Sequence, residues 1–316
     1  MSKILKDQIL LISALSKLTK TIIVTGATGF LGSHLVNNLL KDNYRVIILK
    51  RSFSNDKRIK DILHNLISYD IDKLSLAKPF QDFTKIDAII HTATCYGRRN
   101  ESANSIFSAN TFLPLQLLEY ASQQKNIAFF NTDTVLPKYL NNYSLSKAHF
   151  RECGEQFSKQ KKIKFINIKL EHMFGANDDD SKFTTYVIKS CLNNKPELKL
   201  TYGEQKRDFI HVEDVVSAYN ILIRNQNNFN NLYQEFELGS GNSIPIRQFV
   251  EKIHRLTSSR TVLKFGAIDY RPDEIMYSEA KVKSLMDLGW RPQPSLELGL
   301  RKAIAWYESN KQMGNS

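Results

Sequence analysis

Tyr143-Ser-Leu-Ser-Lys147 sets a phenol and an ammonium group four residues apart. On a helix those two positions share a face, so both groups can address one point. A phenol with its ordinary pKa of about 10 is a poor acid–base catalyst at neutral pH. A neighbouring cation stabilises the phenolate and brings that pKa toward the working range. Upstream, Thr132 follows the run Ile127–Asn131 and offers a hydroxyl at the C-terminal end of a strand. That is the edge where open α/β sheets bind ligands. The Tyr-x-x-x-Lys spacing also arises by chance, so its weight depends on the elements that surround it.

The strongest of these is Thr25-Gly-Ala-Thr-Gly-Phe-Leu-Gly32, which follows the apolar run Thr21–Val24. Gly26, Gly29 and Gly32 have the spacing of a dinucleotide-binding turn between a strand and a helix. Glycine suits that turn because the chain bends sharply and must approach a pyrophosphate closely. The helix that follows, with Leu35, Val36, Leu39 and Leu40 on one face, presents free N–H groups and a positive dipole end to the phosphates. Further strands are expected at 44–49, 86–90, 127–131 and 164–170, with a small one within 51–85. Helices are expected at 105–122, kinked or broken by Pro114, and at 143–159. This alternation predicts an α/β fold with a Rossmann-type, doubly wound parallel sheet. After Phe174 the shorter strands and helices suggest a smaller, mixed α/β substrate domain.

The chain has 316 residues and carries a net charge of +12, with 42% hydrophobic and 24% charged residues. The excess charge is spread along the chain and suits an anionic partner, whether nucleic acid, a membrane surface or a phosphorylated small molecule, or equally well solvated faces with no such partner. Nucleic acid is disfavoured because no long basic run is interleaved with aromatics. Cys95, Cys153 and Cys191 show no metal-ligand spacing, which fits reduced thiols in the cytoplasm, and no metal is expected. No apolar run approaches the roughly 20 residues of a membrane span. Ile4–Leu18 reads as a short amphipathic helix, and residues 1–20 as an extension packed on the body.

Taken together, TGATGFLG (25–32), His91-Thr-Ala93, Asn110, Thr132, YSLSK (143–147), HMFG (172–175) and RDFIHVEDV (207–215) resemble the extended short-chain dehydrogenase/reductases, in that family's order. The resemblance implies that Thr132, Tyr143 and Lys147 are catalytic. It implies that Gly26, Thr28, Gly29, Phe30, Leu31, Gly32, Thr92 and Ala93 line the cofactor. Asn110 is implied to hold proton-relay geometry near Lys147, although an Asn on a helix surface is the alternative. Arg207 and Arg271 are implied to contact the diphosphate of a nucleotide sugar, although either also suits a surface ion pair. The implied domains are 21–175 with a return segment at 207–235 for the dinucleotide, and 176–206 with 236–316 for the nucleotide sugar. A homodimer through helices 105–122 and 143–159 is implied as well.

NAD-preferring members of the resembled family carry an acid at the end of the second strand. Lys50-Arg51-Ser52 stands there instead, so NADP(H) is expected, with no acidic clamp. The dehydratases of the family have Glu where this chain has Thr134, so an elimination base is missing. Asn131-Thr-Asp-Thr-Val-Leu-Pro137 with YSLSK close behind most resembles the CDP-abequose and CDP-paratose synthase group. That resemblance implies NADPH-dependent reduction of the 4-keto group of a nucleotide-linked deoxyhexose for surface polysaccharide. Asp133 and Thr134 are expected to reach sugar hydroxyls, with a turn role for Asp133 equally open. An NAD-dependent 4-epimerase or dehydratase is the alternative reading.

Overall fold

Strands whose residues are apolar without alternation belong in sheets covered on both faces. In the computed structural model, which describes residues 19–293 and 295–314, β1 (Thr21–Thr25) and β4 (Ala88–His91) are buried at every position. Between them lie α1 (Phe30–Lys41), β2 (Arg45–Lys50), β3 (Ile67–Asp70) and the short α2 (Lys78–Asp82). After β4 come α3 (Ala103–Phe107), a π-helical turn at Ser108–Phe112, α4 (Leu113–Ser122), β5 (Ala128–Thr134), α5 (Asn142–Lys159) and β6 (Lys164–Leu170). The break expected at Pro114 is thus a π turn, with the proline placed in the first turn of α4.

The later chain forms β7 (His172–Phe174), α6 (Phe183–Leu192), β8 (Glu197–Leu200), β9 (Lys206–His211), α7 (Val212–Asn225) and β10 (Tyr233–Leu238). It ends with β11 (Ser243–Pro245), α8 (Ile246–Leu256), β12 (Val262–Phe265), α9 (Lys283–Asp287) and α10 (Leu296–Gly314). The main sheet has the order β10-β6-β5-β4-β1-β2-β3, and β1 pairs in parallel with both β2 and β4. The strand order therefore reverses at β1, which makes the C-terminal ends of β1 and β4 the topological switch point where such sheets bind ligands. The α/β class and the doubly wound sheet expected from the sequence are both present. The expected helix at the N-terminus lies outside the described residues.

Two compact units make up the chain. One runs to Asn131 and resumes at Glu152–Phe165, and the other comprises Thr132–Arg151 and the chain from Ile166. This division differs from the boundary expected at residue 175, and the return segment 207–235 falls in the second unit. Within the second unit Thr132 pairs with Tyr219, while Asp133 pairs with Arg151 and Asn167. In the second unit, Phe174, Val187, Phe209, Phe249, Ile253 and Leu300 share one core, with the Phe209 and Phe249 rings stacked 3.6 Å apart. Helix α7 buries Val212, Val215, Val216, Tyr219, Leu222 and Ile223, the spacing of an amphipathic helix.

Candidate active site

The glycine turn in the first unit has the geometry that its residue types demand. Gly26 has φ 71°, and a Cβ there would stand 2.5 Å from the Ala93 nitrogen. A Cβ on Gly32 would stand 2.0 Å from the Gly26 carbonyl oxygen, so α1 packs against the turn only without a side chain. Thr25 Oγ1 shares a 2.8 Å hydrogen bond with His91 Nδ1, and Thr92 Oγ1 donates to the Thr25 carbonyl at 2.7 Å. The ends of β1 and β4 are thereby tied together, with Thr92 and Ala93 beside the turn. Gly29 caps α1 without a side-chain acceptor, and the first turn holds no acid, which leaves an N-terminus suited to phosphate. Thr28 and Phe30 are half-buried there and Leu31 is buried. Such a cradle fits a dinucleotide.

The edge of β2 differs from the expectation in one respect. Lys50 is the register partner of Asp70 on β3, and its Nζ lies 3.0 Å from the Asp70 carboxylate. The Ser52 N–H and hydroxyl both donate to Asp72, each at 2.6 Å. Acids therefore do stand at this edge, supplied by β3 and the turn that follows it rather than by β2, where the sequence left the clamp without one. Arg51 extends outward with its guanidinium 4.8 Å from the Phe53 ring centre, and it has no ion pair among the described residues.

Asn110 sits in the π turn, fully buried. Its Oδ1 accepts from the Cys95 N–H at 2.7 Å and its Nδ2 donates to the Cys95 carbonyl at 2.8 Å. It therefore clamps the loop that leaves β4, rather than lying on a helix surface.

In the second unit, Asn141 and Ser144 form a reciprocal cap at the start of α5. The Ser144 N–H donates to Asn141 Oδ1 at 2.9 Å, and the Asn141 N–H donates to Ser144 Oγ at 3.2 Å. Such a cap fixes where the helix begins, and so fixes Tyr143 in its first turn with Lys147 one turn on. Tyr143 is half-buried, whereas Lys147 is only 2% exposed. Burial lowers the Lys147 pKa to about 8, with the Asp133 charge pulling the other way. Thr132 Oγ1 lies 2.6 Å from the hydroxyl of Tyr219.

Asp133 is buried. Its side chain has no exposed surface, and Oδ2 accepts from Arg151 Nη1 at 2.8 Å and from Asn167 Nδ2 at 3.1 Å. Its Oδ1 also accepts from the Thr134 N–H at 2.8 Å, which is the turn role that the sequence leaves equally open. Thr134 lines a cavity of about 400 Å³, together with Leu136, Arg151, Lys169, Glu171 and Tyr277.

Arg207 is also largely buried, with Nη2 2.6 Å from Glu274, and burial lowers its pKa against the opposing charges of Glu274 and Glu171. Arg271 is exposed, and its carbonyl accepts from the Glu274 N–H at 3.1 Å. The two arginines thus flank one turn. Sequence reading missed Tyr219, Arg151, Glu274 and Asp70. Only Arg151 left a signal, standing four residues after Lys147 on the same helical face. Tyr219 reads as one more core residue of α7. Among the described residues, no cluster of His, Cys, Asp and Glu could hold a metal ion.

A parallel sheet whose strand order reverses at a glycine turn is a nucleotide-binding scaffold. The chain belongs to the NAD dependent epimerase/dehydratase family, whose model matches residues 22–239. It is an enzyme of that family. The CDP-abequose synthase of Salmonella muenchen is 36% identical over 296 residues, covering 92% of this chain and 98% of that one. Among solved structures, an epimerase of Methanothermobacter thermautotrophicus matches with a TM-score of 0.81 at 21% identity, covering 93% of this chain and 94% of its own. The UDP-glucose 4-epimerase of Thermus thermophilus, solved with NAD, matches with a TM-score of 0.77 at 19% identity, covering 91% and 99%.

Proposed function

We propose that this enzyme uses NADPH to reduce the 4-keto group of a nucleotide-linked deoxyhexose or dideoxyhexose, in deoxysugar biosynthesis for a surface polysaccharide such as lipopolysaccharide O-antigen. The observation that carries the reading is the end of β5. Thr132 offers a hydroxyl there, the Asp133 carboxylate is locked in an ion pair, and Thr134 supplies no base for elimination. The likeness to CDP-abequose synthase over nearly the whole chain supports the same substrate class.

A reduced nicotinamide dinucleotide bound at the turn of Gly26, Gly29 and Gly32 would supply the hydride. Tyr143 donates its proton to the sugar oxygen as negative charge develops on it, and Thr132 shares a hydrogen bond to that oxygen. Lys147, with its pKa at about 8, is mostly protonated at pH 7 and holds the tyrosine pKa down. Arg207 and Arg271 serve the diphosphate, with Glu274 surrendering part of its hold on Arg207. The cavity beside Thr134 receives the hexose.

NADPH preference rests chiefly on Arg51, since Asp70 offsets Lys50. That offset favours a second reading, a 4-epimerase that retains and recycles NAD. We infer a homodimer. Cytoplasmic residence is supported by the free state of Cys95, Cys153 and Cys191, and no helix of the described residues is long and apolar enough to cross a membrane. The test is Tyr143→Phe, which is expected to remove most turnover while NADPH binds as before. Retained turnover would sink the assignment.

A further inference from the structure

We propose that Tyr219 is a positioning residue that turns the Thr132 hydroxyl into a fixed donor toward the reacting oxygen. Tyr219 lies on the buried face of α7 with no exposed surface. Its hydroxyl is 2.6 Å from Thr132 Oγ1, and among the described residues Thr132 is the one partner it has. Burial pushes the phenol well above its ordinary pKa, so the oxygen keeps its proton at any working pH.

A buried O–H must donate or remain unsatisfied, and Thr132 Oγ1 is the acceptor within reach. Were the bond reversed, with Thr132 donating, the Tyr219 proton would be left in the core without an acceptor. The satisfied arrangement therefore has Tyr219 donating and Thr132 accepting. That leaves the threonine's own proton to point away from Tyr219, and Thr132 is half-buried rather than sealed. A hydroxyl without such a partner rotates, and can offer a lone pair where negative charge is to form. A donor fixed before the reaction costs no reorganisation during it.

This inference rests on the reading that Thr132 serves the reacting sugar oxygen, which the reductase and the epimerase readings share. Tyr219→Phe keeps the ring and removes only the hydroxyl. Its turnover number is expected to fall about tenfold, with the sugar KM and the cofactor dissociation constant unchanged. In a Thr132→Val background, Tyr219→Phe is expected to cost nothing further. Losses that simply add across the two sites would overturn the proposal.

The cycle is read on whichever turnover the wild type catalyses, ketosugar reduction or 4-epimerisation, so failure of the reductase reading shows separately as absent NADPH oxidation. A neutron structure of the deuterium-exchanged protein needs no turnover and no variant. A deuteron on the Tyr219 oxygen directed at Thr132 Oγ1 supports the assignment, and a Thr132 deuteron directed at Tyr219 contradicts it.

Discussion

Arg151 Nη1 and Asp133 Oδ2 lie 2.8 Å apart, joining the middle of α5 to the end of β5 inside the second unit. The pair lies among Asn167, which also donates to Glu235, and Lys169 and Tyr233, which bond the same glutamate. Breaking a buried pair from one side leaves an uncompensated charge. Arg151→Met is therefore expected to destabilise the fold by about 3 kcal/mol. Asp133→Asn keeps a side chain that can still accept hydrogen bonds and is expected to cost about 1 kcal/mol. Urea unfolding of both variants checks the order, and equal costs would mean that the pair carries no special burden.

In the proposed mechanism Lys147 trades stability for chemistry. Its folded pKa of about 8 lies below the ordinary 10.5, so between those values the unfolded chain binds more protons than the native one. Its contribution is thus fully favourable above about 10.5 and is lost as the pH falls through about 8. At pH 7 the buried cation costs at most about 3 kcal/mol. Lys147→Met is expected to be inactive yet more stable at pH 7, with the difference shrinking toward pH 10. Denaturant unfolding at the two pH values reads this directly.

In the proposed mechanism the same cation is expected to set the alkaline limb of the reaction. Turnover by the wild type is expected to decline as the pH rises through about 8 and Lys147 loses its charge. Asp133 is the anion that opposes this loss, so Asp133→Asn moves the limb to lower pH. A limb that stays in place in Asp133→Asn would show that another group controls it.

Much of this machinery was legible before any fold was in hand, and the boundary between legible and hidden has a physical cause. TIIVT followed by three spaced glycines is a local pattern, and so is YSLSK, because strand burial, turn conformation and helical periodicity act within a few residues. Helix α8 at Ile246–Leu256 coincides with its apolar spacing for the same reason. The pairs that decide the electrostatics are separated widely in sequence. Lys50 meets Asp70 through the register of two strands, Arg207 meets Glu274 across 67 residues, and Thr132 meets Tyr219 across 87. Nothing in the local composition near Lys50 announces that its charge is already shared.

Asp214 offers a test of burial in the first turn of α7. Desolvation raises its pKa to about 6 from 3.8, against the hydrogen bond its carboxylate accepts from the Gln293 N–H. A raised carboxylate contributes stability below about 4 that is lost as the pH rises through about 6. Asp214→Asn keeps an oxygen for the Gln293 N–H and removes the charge. It is expected to gain up to about 3 kcal/mol at pH 8, with the gain vanishing by pH 4.

The proposed NADPH preference rests on Arg51 and on the Lys50–Asp70 pair. Arg51→Ala is expected to lower the NADPH-to-NADH ratio of kcat/KM by about tenfold. Asp70→Asn frees Lys50 and is expected to move the ratio the other way. Parallel shifts in the two variants would remove this edge from the specificity argument.

Net reduction of a ketosugar is tested directly by one incubation. Wild-type enzyme is mixed with NADPH and, separately, with CDP-, dTDP-, GDP- and UDP-linked 4-keto-deoxyhexoses, and the reduced-nicotinamide absorbance is followed together with the sugar product. Stoichiometric loss of that absorbance with formation of a 4-hydroxy sugar, most strongly with a CDP-linked substrate, is the predicted result. Interconversion of C4 epimers with no net consumption of NADPH would contradict it.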